Sequence, residues 1–378
     1  MSGRGMRGSS SSSGKGREGS RGQSPGEAAV FGLKYQARCL CNVPADLDTN
    51  TFFVGTHNLL NENEFYILVY NEDDQRLFCQ NIYTHRPEIW GLSACPWKSS
   101  LFASSYHIGG VFQASLWRIP SMDGDIGDAE NLEESCTLKG HDGVLNGLHW
   151  GSPENRKNMI TVDQACIRLW DVHAATSEAQ PTQTVHLGDL QRLVCSAWDP
   201  RDENRVYAAS EKSVDTVDIR AGKVVQTLSQ PHPFGTRTLD CNPNVPGQIV
   251  TAGDDLKIRF WDTRKLTEPL LCLPSAHSHW ISSVSHNPSY DQLVLTSSSD
   301  SLVNLFNVRS VSSAAEEESA TSGETGGLAT SVDKHEESVY SACWSSASAW
   351  VFASLSYDGR VLVHQVDSAI KFPVLGVS

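Results

Sequence analysis

Apolar and polar residues alternate along short segments that recur through most of the chain. In one clear copy, Gly140-His141 is followed by the segments Leu145 to Trp150, Met159 to Asp163 and Ile167 to Asp171. Alternation with a period of two residues predicts β-strands that bury one face, whereas helices repeat near 3.6 residues. Each copy therefore predicts three antiparallel strands, with a histidine before the first strand and an aspartate turn before the third.

The copies repeat at a nearly constant interval. Their anchor residues, a histidine in all but one copy, lie at positions 85, 141, 187, 232, 277 and 335. The central intervals of 46, 45 and 45 residues match the roughly 40–45 residues of a WD40 repeat. With one unit before the first anchor, we predict seven units that begin near residues 30, 87, 144, 190, 235, 280 and 338. The predicted fold is an all-β, seven-bladed WD40 β-propeller spanning residues 27–378.

The two ends of the chain predict how the ring closes. Residues 30–40, 51–56 and 65–70 indicate three strands without a leading histidine, and Ile370 to Leu375 is an apolar segment without a partner. We predict that residues 370–375 form the outer strand beside residues 65–70. Both termini then share the first blade, and this pairing between the C-terminal strand and the N-terminal blade removes the open sheet edge.

The recurring histidine and aspartate predict a hydrogen-bonded relay within each blade. A buried network of imidazole, carboxylate, strand hydroxyl and indole must be fully satisfied, and it then fixes the register of the blade. We therefore assign these residues a structural role and predict no catalytic residue. They are His85, His141, His232, His277, His335, Asp255, Asp300, Asp358, Trp170 and Trp261.

Charge is distributed unevenly along the chain. The formal net charge is −14, but residues 1–26 carry +4, which leaves −18 on the remainder. A net charge this negative repels phosphate groups, so nucleic-acid binding by the propeller is disfavoured. Because residues 1–26 are rich in Ser, Gly and Arg, we predict a disordered tail. Two acidic inserts, residues 120–135 and 310–333, are predicted to form loops on one common face. They are either solvated loops without a partner or docking sites for a basic segment of a partner protein.

Motifs for catalysis or for binding a metal or cofactor do not occur in the sequence. The ten cysteines form no C-x-x-C pair, which argues against zinc and redox chemistry and indicates a reducing compartment. We expect no secretory signal, since the first residues contain no apolar stretch, and no apolar run reaches about 20 residues. We therefore expect a protein that is not an enzyme, holds no cofactor or metal, and contacts membranes only indirectly.

Aromatic residues and arginine at the rim of the narrower face are the candidate protein-binding residues. Trp90, Trp280 and Tyr340 flank the first core position of a first strand, and Tyr357 and Arg360 lie in a turn on the same side. These residue types dominate the binding energy of interfaces. The alternative is that they pack against neighbouring loops.

A second candidate surface lies on the other face. Trp261-Asp262-Thr263-Arg264 is a W-D-x-R motif, and Asp218 and Arg220 occupy the equivalent positions one blade earlier. The motif resembles the docking signature of substrate receptors of cullin-4 RING ubiquitin ligases. Alternatively, each arginine pairs with a nearby aspartate.

Four stretches resemble one particular family of WD40 proteins. They are Val30 to Arg38, Phe260 to Pro269, His277 to Leu293, and His335 to Arg360. The family interacts with the endosome-associated recycling and Golgi-associated retrograde protein tethering complexes, and the similarity runs in order over residues 30–378. The resemblance implies a cytoplasmic adaptor that is recruited peripherally to endosomes and the trans-Golgi network, where it supports retrograde transport and recycling. We expect the propeller to be monomeric.

Overall fold

The computed structural model describes residues 28–59, 62–120, 130–154, 156–173, 177–188, 192–315 and 326–377. These residues form seven separate, mainly antiparallel sheets, each built around four main strands. The first strands of successive sheets contact each other in a closed cycle of seven. The prediction of a seven-bladed β-propeller is therefore confirmed.

Each blade contains four main strands, ordered from the innermost to the outermost. Blade 1 contains Ala37–Asn42, Asn50–Thr56, Asn63–Asn71 and Arg76–His85. Blade 2 contains Ile89–Ala94, Leu101–Ile108, Val111–Arg118 and Glu133–Leu138. Blade 3 contains Gly147–Trp150, Asn158–Val162, Cys166–Asp171 and Gln183–His186. Blade 4 contains Leu193–Trp198, Arg205–Ser210, Ser213–Asp218 and Lys223–Ser229.

The remaining blades follow the same order. Blade 5 contains Thr236–Cys241, Gln248–Gly253, Lys257–Asp262 and Leu271–Pro274. Blade 6 contains Ile281–His286, Leu293–Ser298, Val303–Asn307 and Gly327–Val332. Blade 7 contains Val339–Trp344, Val351–Ser356, Arg360–Gln365 and Ala29–Gly32. Two short strands, Glu130–Asn131 and Glu178–Ala179, extend blades 1 and 2 by parallel pairing. Among the described residues, the helical elements are a 3₁₀ helix at Arg309–Val311 and an α-helix at Ser368–Val374.

Strands from the two ends of the chain pair and close the ring, as predicted, but the strands involved differ from the prediction. Ala29–Gly32 is the outer strand of blade 7 and pairs antiparallel with Arg360–Gln365. The outer strand of blade 1 is Arg76–His85. The prediction that residues 370–375 form this strand is wrong, because they lie in the helix Ser368–Val374 and the turn that follows it.

The helix that replaces the predicted strand begins at a clear cap. The side chain of Asp367 accepts a hydrogen bond from the backbone N–H of Ala369 at 2.8 Å, which satisfies an amide at the helix start. Ile370 and Val374 then share one face and pack on the cluster between blades 6 and 7. The spacing of four residues between Ile370 and Val374 therefore matches the period of a helix and not that of a strand.

Apolar side chains fill the space between each pair of neighbouring blades. The seven buried clusters of the propeller correspond to its seven blade-to-blade interfaces. Between blades 1 and 2, the rings of Phe65 and Phe102 stack with centroids 4.2 Å apart, and Phe53 packs edge-on against both. Every sheet is therefore covered on both faces by its neighbours, which explains why second strands such as Asn50–Thr56 and Gln248–Gly253 are buried at every position.

The strand directions define two faces. The upper face carries the starts of the first strands and the turns between second and third strands, as at Thr236 and Gly253, which are register partners. The lower face carries the ends of the first and third strands, such as Cys241 and Asp262. Both acidic inserts follow third strands and so leave their blades at the lower face.

Parts of the predicted tail and inserts lie outside the described residues. These parts are residues 1–26, most of 120–130, and residues 316–325. Within the second insert, Gly327–Val332 is a strand that pairs with Val303–Asn307. No helix among the described residues is long and apolar enough to span a membrane.

Candidate protein-binding surface

The predicted relay residues are brought together most completely in blade 5. His232 Nδ1 lies 2.7 Å from Asp255 Oδ1, and its Nε2 lies 2.8 Å from the hydroxyl of Thr251. The indole N–H of Trp261 donates to the same hydroxyl at 3.0 Å. One chain of hydrogen bonds therefore connects the turn, the second strand and the third strand.

Blades 2 and 6 contain related arrangements. In blade 2, His85 Nε2 lies 3.0 Å from the hydroxyl of Ser104, which accepts a hydrogen bond from Trp117 at 2.8 Å. In blade 6, His277 contacts Asp300 at 3.2 Å and Thr296 at 2.9 Å. Phenylalanine replaces tryptophan in blade 6, so no indole completes that relay.

Blade 3 departs from the pattern because its aspartate lies one position early. His141 and Trp170 still share the hydroxyl of Thr161, at 2.8 and 2.9 Å. Asp163, however, pairs with the buried guanidinium of Arg168, which also reaches Asp142 at 2.8 Å.

An acidic cluster in blade 3 could be mistaken for a metal site. Atoms of Asp142, Asp163 and Cys166 lie within 4.8 Å of one another. The guanidinium of Arg168 pairs with both carboxylates, so their charge is already compensated.

Blade 7 requires a correction to the predicted relay. His335 Nε2 lies 2.8 Å from the hydroxyl of Ser354, but Asp358 does not bond with His335. Instead, Asp358 accepts hydrogen bonds from the hydroxyl of Ser356 and from the backbone N–H of Arg360. The Asp358 carboxylate is thus hydrogen-bonded to residues of its own turn. His335 Nδ1 has no hydrogen-bond partner among the described residues.

The buried histidines of these relays are held neutral. Burial lowers the pKa of His85, His141 and His335 to about 4. Burial also lowers the pKa of His232 and His277, although their aspartates oppose the shift. A neutral imidazole donates through one nitrogen and accepts through the other, as the relay geometry requires.

A β-bulge near the start of the first strand shapes the upper face in six of the seven blades. In blade 1, Ala37 and Cys39 pair with consecutive residues Thr56 and Gly55, so the residue between them is extra. The six extra residues are Arg38, Trp90, Val194, Arg237, Ser282 and Tyr340. Bulges re-aim side chains, so they are common beside functional sites.

Three of the predicted surface residues converge on a residue that the sequence analysis did not select. The guanidinium carbon of Arg38 lies 4.9 Å from the ring centre of Tyr340, 5.4 Å from that of Tyr357 and 5.6 Å from that of Trp90. We call these four residues the Arg38 cluster. It joins blades 7, 1 and 2 at the upper face. The shared bulge position was the available signal for Arg38, since Trp90 and Tyr340 occupy it in other blades.

The other two predicted surface residues lie elsewhere on the upper face. Trp280 is 52% exposed, and its ring packs under the guanidinium of Arg237, which pairs with Asp254 at 2.5 Å. Arg360 pairs with Glu336 at 2.9 Å. The predicted set is therefore split into the Arg38 cluster and two separate positions.

Large apolar side chains add to this face. Phe234 precedes the first strand of blade 5 and is 75% exposed. Leu59, Ile108 and Val111 are also exposed and lie beyond the second strands or at the turn in blades 1 and 2. Together with Trp280, these residues give the upper face the apolar and aromatic character of interaction surfaces.

The second candidate surface lies on the lower face. Arg264 binds its own neighbour Asp262 through two nitrogens, at 2.8 and 2.9 Å, which favours the local-pairing alternative for this residue. Asp218 accepts a hydrogen bond from the backbone of Ala221, and Arg220 is exposed. A cavity of about 480 Å³ also opens on this face, at the ends of the first strands of blades 2 to 5.

Comparison with known proteins gives two family matches. A model described as EIPR1 beta-propeller matches residues 26–306. A model described as WD domain, G-beta repeat, matches residues 326–365.

Individual relatives are similar over nearly their whole length. The WD repeat-containing protein DWA2 of Arabidopsis thaliana is 34% identical over 89% of this chain and 95% of its own length. The EARP and GARP complex-interacting protein 1 of Rattus norvegicus is 34% identical over 92% of this chain and 98% of its own length. The protein of the same name from Homo sapiens is 33% identical with the same coverage.

Proposed function

The chain belongs to the EIPR1 β-propeller family, and on this premise we propose that it is a non-catalytic adaptor for multisubunit tethering complexes. Its partners would be subunits of the endosome-associated recycling and Golgi-associated retrograde protein complexes. The observation that carries the proposal is the similarity over 92% of the chain to relatives named for interaction with these complexes. Retrograde transport to the trans-Golgi network and endosomal recycling are the processes that the adaptor would support.

We propose that the tethering complexes bind to the upper face. This proposal is supported by the exposed side chains of Trp280 and Phe234 and by the Arg38 cluster, all of which lie on the upper face. Aromatic residues and arginine supply most of the binding energy in protein interfaces, whereas relay residues are buried and unavailable. The predicted binding residues are Trp90, Trp280, Tyr340, Tyr357 and Arg360.

The proposed adaptor is a monomeric propeller in the cytoplasm that reaches endosomal and trans-Golgi membranes through its protein partner. Support for indirect recruitment comes from the acidic charge of residues 27–378, which opposes direct binding to anionic lipid surfaces and to nucleic acids. The proposal includes no cofactor and no catalytic group.

A binding experiment with purified components tests the proposal. The full-length chain would be immobilised, and purified tethering complexes of each kind would be titrated over it. We expect saturable binding that weakens at least about tenfold in Trp280→Ala and in Tyr357→Ala, because truncation of an interface aromatic costs more than about 1.4 kcal/mol at a binding hot spot. Absence of binding by the unmodified chain to either complex would overturn the proposal.

Variants of the lower face provide the matched control. Arg220→Ala and Arg264→Ala should leave binding of the tethering complexes unchanged, because both arginines lie at third-strand ends on the opposite face. The same two variants test the alternative, a substrate receptor of a cullin-4 RING ubiquitin ligase that docks through Asp218, Arg220, Asp262 and Arg264. If a purified cullin-4 adaptor binds the chain and Arg264→Ala abolishes that binding, while no tethering complex binds, the ligase function would replace the proposed one.

A further inference from the structure

The guanidinium of Arg38 lies against aromatic rings and forms no ion pair with a carboxylate of the described residues. Three ring centres lie within 5.6 Å of its central carbon, from Trp90, Tyr340 and Tyr357. Among the described residues, none forms a hydrogen bond or an ion pair with Arg38, and its Nε is buried without a partner. The two terminal nitrogens of the guanidinium are therefore left to donate to a ligand.

Other arginines of the same face show that this arrangement is unusual within the propeller. Arg237 occupies the equivalent bulge in blade 5 and pairs with Asp254, and Arg360 pairs with Glu336. In blade 1, the neighbouring imidazole of His57 offers no negative charge, and burial together with Arg38 lowers its pKa. Arg38 thus has no ion-pair partner among the described residues; Glu88, the carboxylate that acts on His57, accepts a hydrogen bond from the Trp90 indole at 3.4 Å instead.

The chemistry of the site favours a carboxylate ligand. A partly buried charge without a counter-ion has lost some of its hydration and gains from pairing. A planar guanidinium presents parallel N–H donors that match the two oxygens of a carboxylate, and the three rings hold its plane in place. Phosphate shares part of this geometry, but a single arginine without neighbouring cations gives it little charge compensation.

We propose that Arg38 is the anchoring residue for an aspartate or glutamate side chain in a segment of the partner protein that lies across the upper face. This inference rests on the proposed function and adds the chemistry by which the partner is recognised. Exposed Leu59, Ile108 and Val111 lie on the same face in blades 1 and 2, so apolar residues should flank the acidic one. The acidic inserts of this chain leave their blades at the lower face, which favours a partner as the source of the carboxylate.

Selection from a random peptide library tests the inference without any tethering complex. A phage-displayed library would be selected in parallel on the full-length chain and on Arg38→Gln. We expect the enriched peptides to share one acidic position beside apolar residues, and we expect this enrichment to disappear on Arg38→Gln. A consensus without an acidic position, or equal enrichment of the same acidic peptides on the variant, would overturn the inference.

A double-mutant cycle then isolates the contact between the two charges. A selected peptide and its counterpart with Asn or Gln at the acidic position would be titrated by fluorescence polarisation. The acid-to-amide change should weaken binding to the unmodified chain about tenfold and should have no effect on Arg38→Gln, because the paired charge is then absent. An equal loss on both proteins would show that the carboxylate binds elsewhere.

Two further variants separate binding from stability. Arg76→Gln removes an exposed guanidinium from the outer strand of the same blade and should leave the acid preference intact. Arg38→Lys retains the charge without the planar pair of donors, so it should keep the preference for the acidic peptide with several-fold weaker binding. If Arg38→Gln fails to fold, as judged by thermal unfolding, the comparison on Arg38→Lys decides, since loss of the acid preference on a cationic variant would overturn the inference.

Failure of the two proposals can be distinguished. If the chain selects acidic peptides through Arg38 but binds neither tethering complex, the proposed partner is wrong and the carboxylate site stands. If a tethering complex binds and Arg38→Gln leaves its affinity unchanged, the partner is supported and the carboxylate site is refuted.

Discussion

The relay of blade 5 gives a sharp prediction for Thr251→Val. Neutral His232 donates from Nδ1 to Asp255, so its Nε2 accepts a hydrogen bond from the hydroxyl of Thr251, which in turn accepts from the indole of Trp261. Valine has nearly the same shape as threonine but neither donates nor accepts. The change leaves two buried groups unsatisfied at about 1–3 kcal/mol each, so the free energy of unfolding should fall by about 2–6 kcal/mol.

The matched control for this prediction lies in the same blade. Thr236 is also buried, but its hydroxyl has no hydrogen-bond partner among the described residues. Thr236→Val should therefore leave stability unchanged or raise it slightly, because it removes an unsatisfied polar atom.

Equilibrium urea denaturation near neutral pH, followed by tryptophan fluorescence and circular dichroism, measures both variants against the unmodified chain. Coincident transitions by the two probes would justify a two-state treatment. If Thr251→Val costs no more than Thr236→Val, the relay does not stabilise the fold, and the assignment of these histidines to a structural network is refuted.

The buried histidines, the ring closure and one turn glycine give three other predictions. Acidification from about pH 7 to about pH 5 should lower the free energy of unfolding by about 2 kcal/mol for each histidine whose pKa is about 4 in the folded chain. The cause is that these histidines take up protons over this pH range in the unfolded chain but not in the folded chain. Urea denaturation that gives equal stability at both pH values would contradict this prediction. Deletion of residues 1–32 should lower the midpoint of thermal unfolding by several degrees, because it removes the outer strand of blade 7. Deletion of residues 1–27 should leave the midpoint unchanged. Equal midpoints for the two deletions would show that the closing strand does not stabilise the fold. Gly359→Ala should destabilise the fold more than Gly109→Ala. Both glycines have positive φ, but of the two only Gly359 would bring an added Cβ into a clash with a backbone oxygen, that of Tyr35. Equal unfolding free energies of the two variants would refute the clash.

The repeat pattern was sufficient to predict the number of blades and most of their strands. Segments such as Met159 to Asp163 appear as the strand Asn158–Val162, because a short apolar run is typical of a strand whose sheet is covered on both faces. The pattern failed for Ile370 to Leu375, where a short apolar run fits a helix face as well as a strand. The capping aspartate at 367 and the packing site between blades 6 and 7 decided in favour of the helix.

Recurring sequence positions also predicted the relay of blade 5, but they failed for the relay of blade 7. The sequence positions of His232, Asp255 and Trp261 indicated a shared network, since all three recur at fixed places in the repeats. In blade 7 the same reasoning paired His335 with Asp358. A local hydrogen bond from Ser356 satisfies that carboxylate instead, and such competition between near and far partners depends on distances that a linear pattern does not contain.

By itself, the sequence determined the all-β repeat architecture and the resemblance to an adaptor family, because both depend on patterns that are local or that recur along the chain. Only the tertiary structure decided that residues 29–32 close the ring and that Arg38 lies among Trp90, Tyr340 and Tyr357. The reason is physical: Arg38 meets two residues that are about 300 positions away in sequence, and this meeting requires all seven blades to complete the circle. The bulge that turns its side chain arises from the pairing register between two strands, which is a property of the folded sheet.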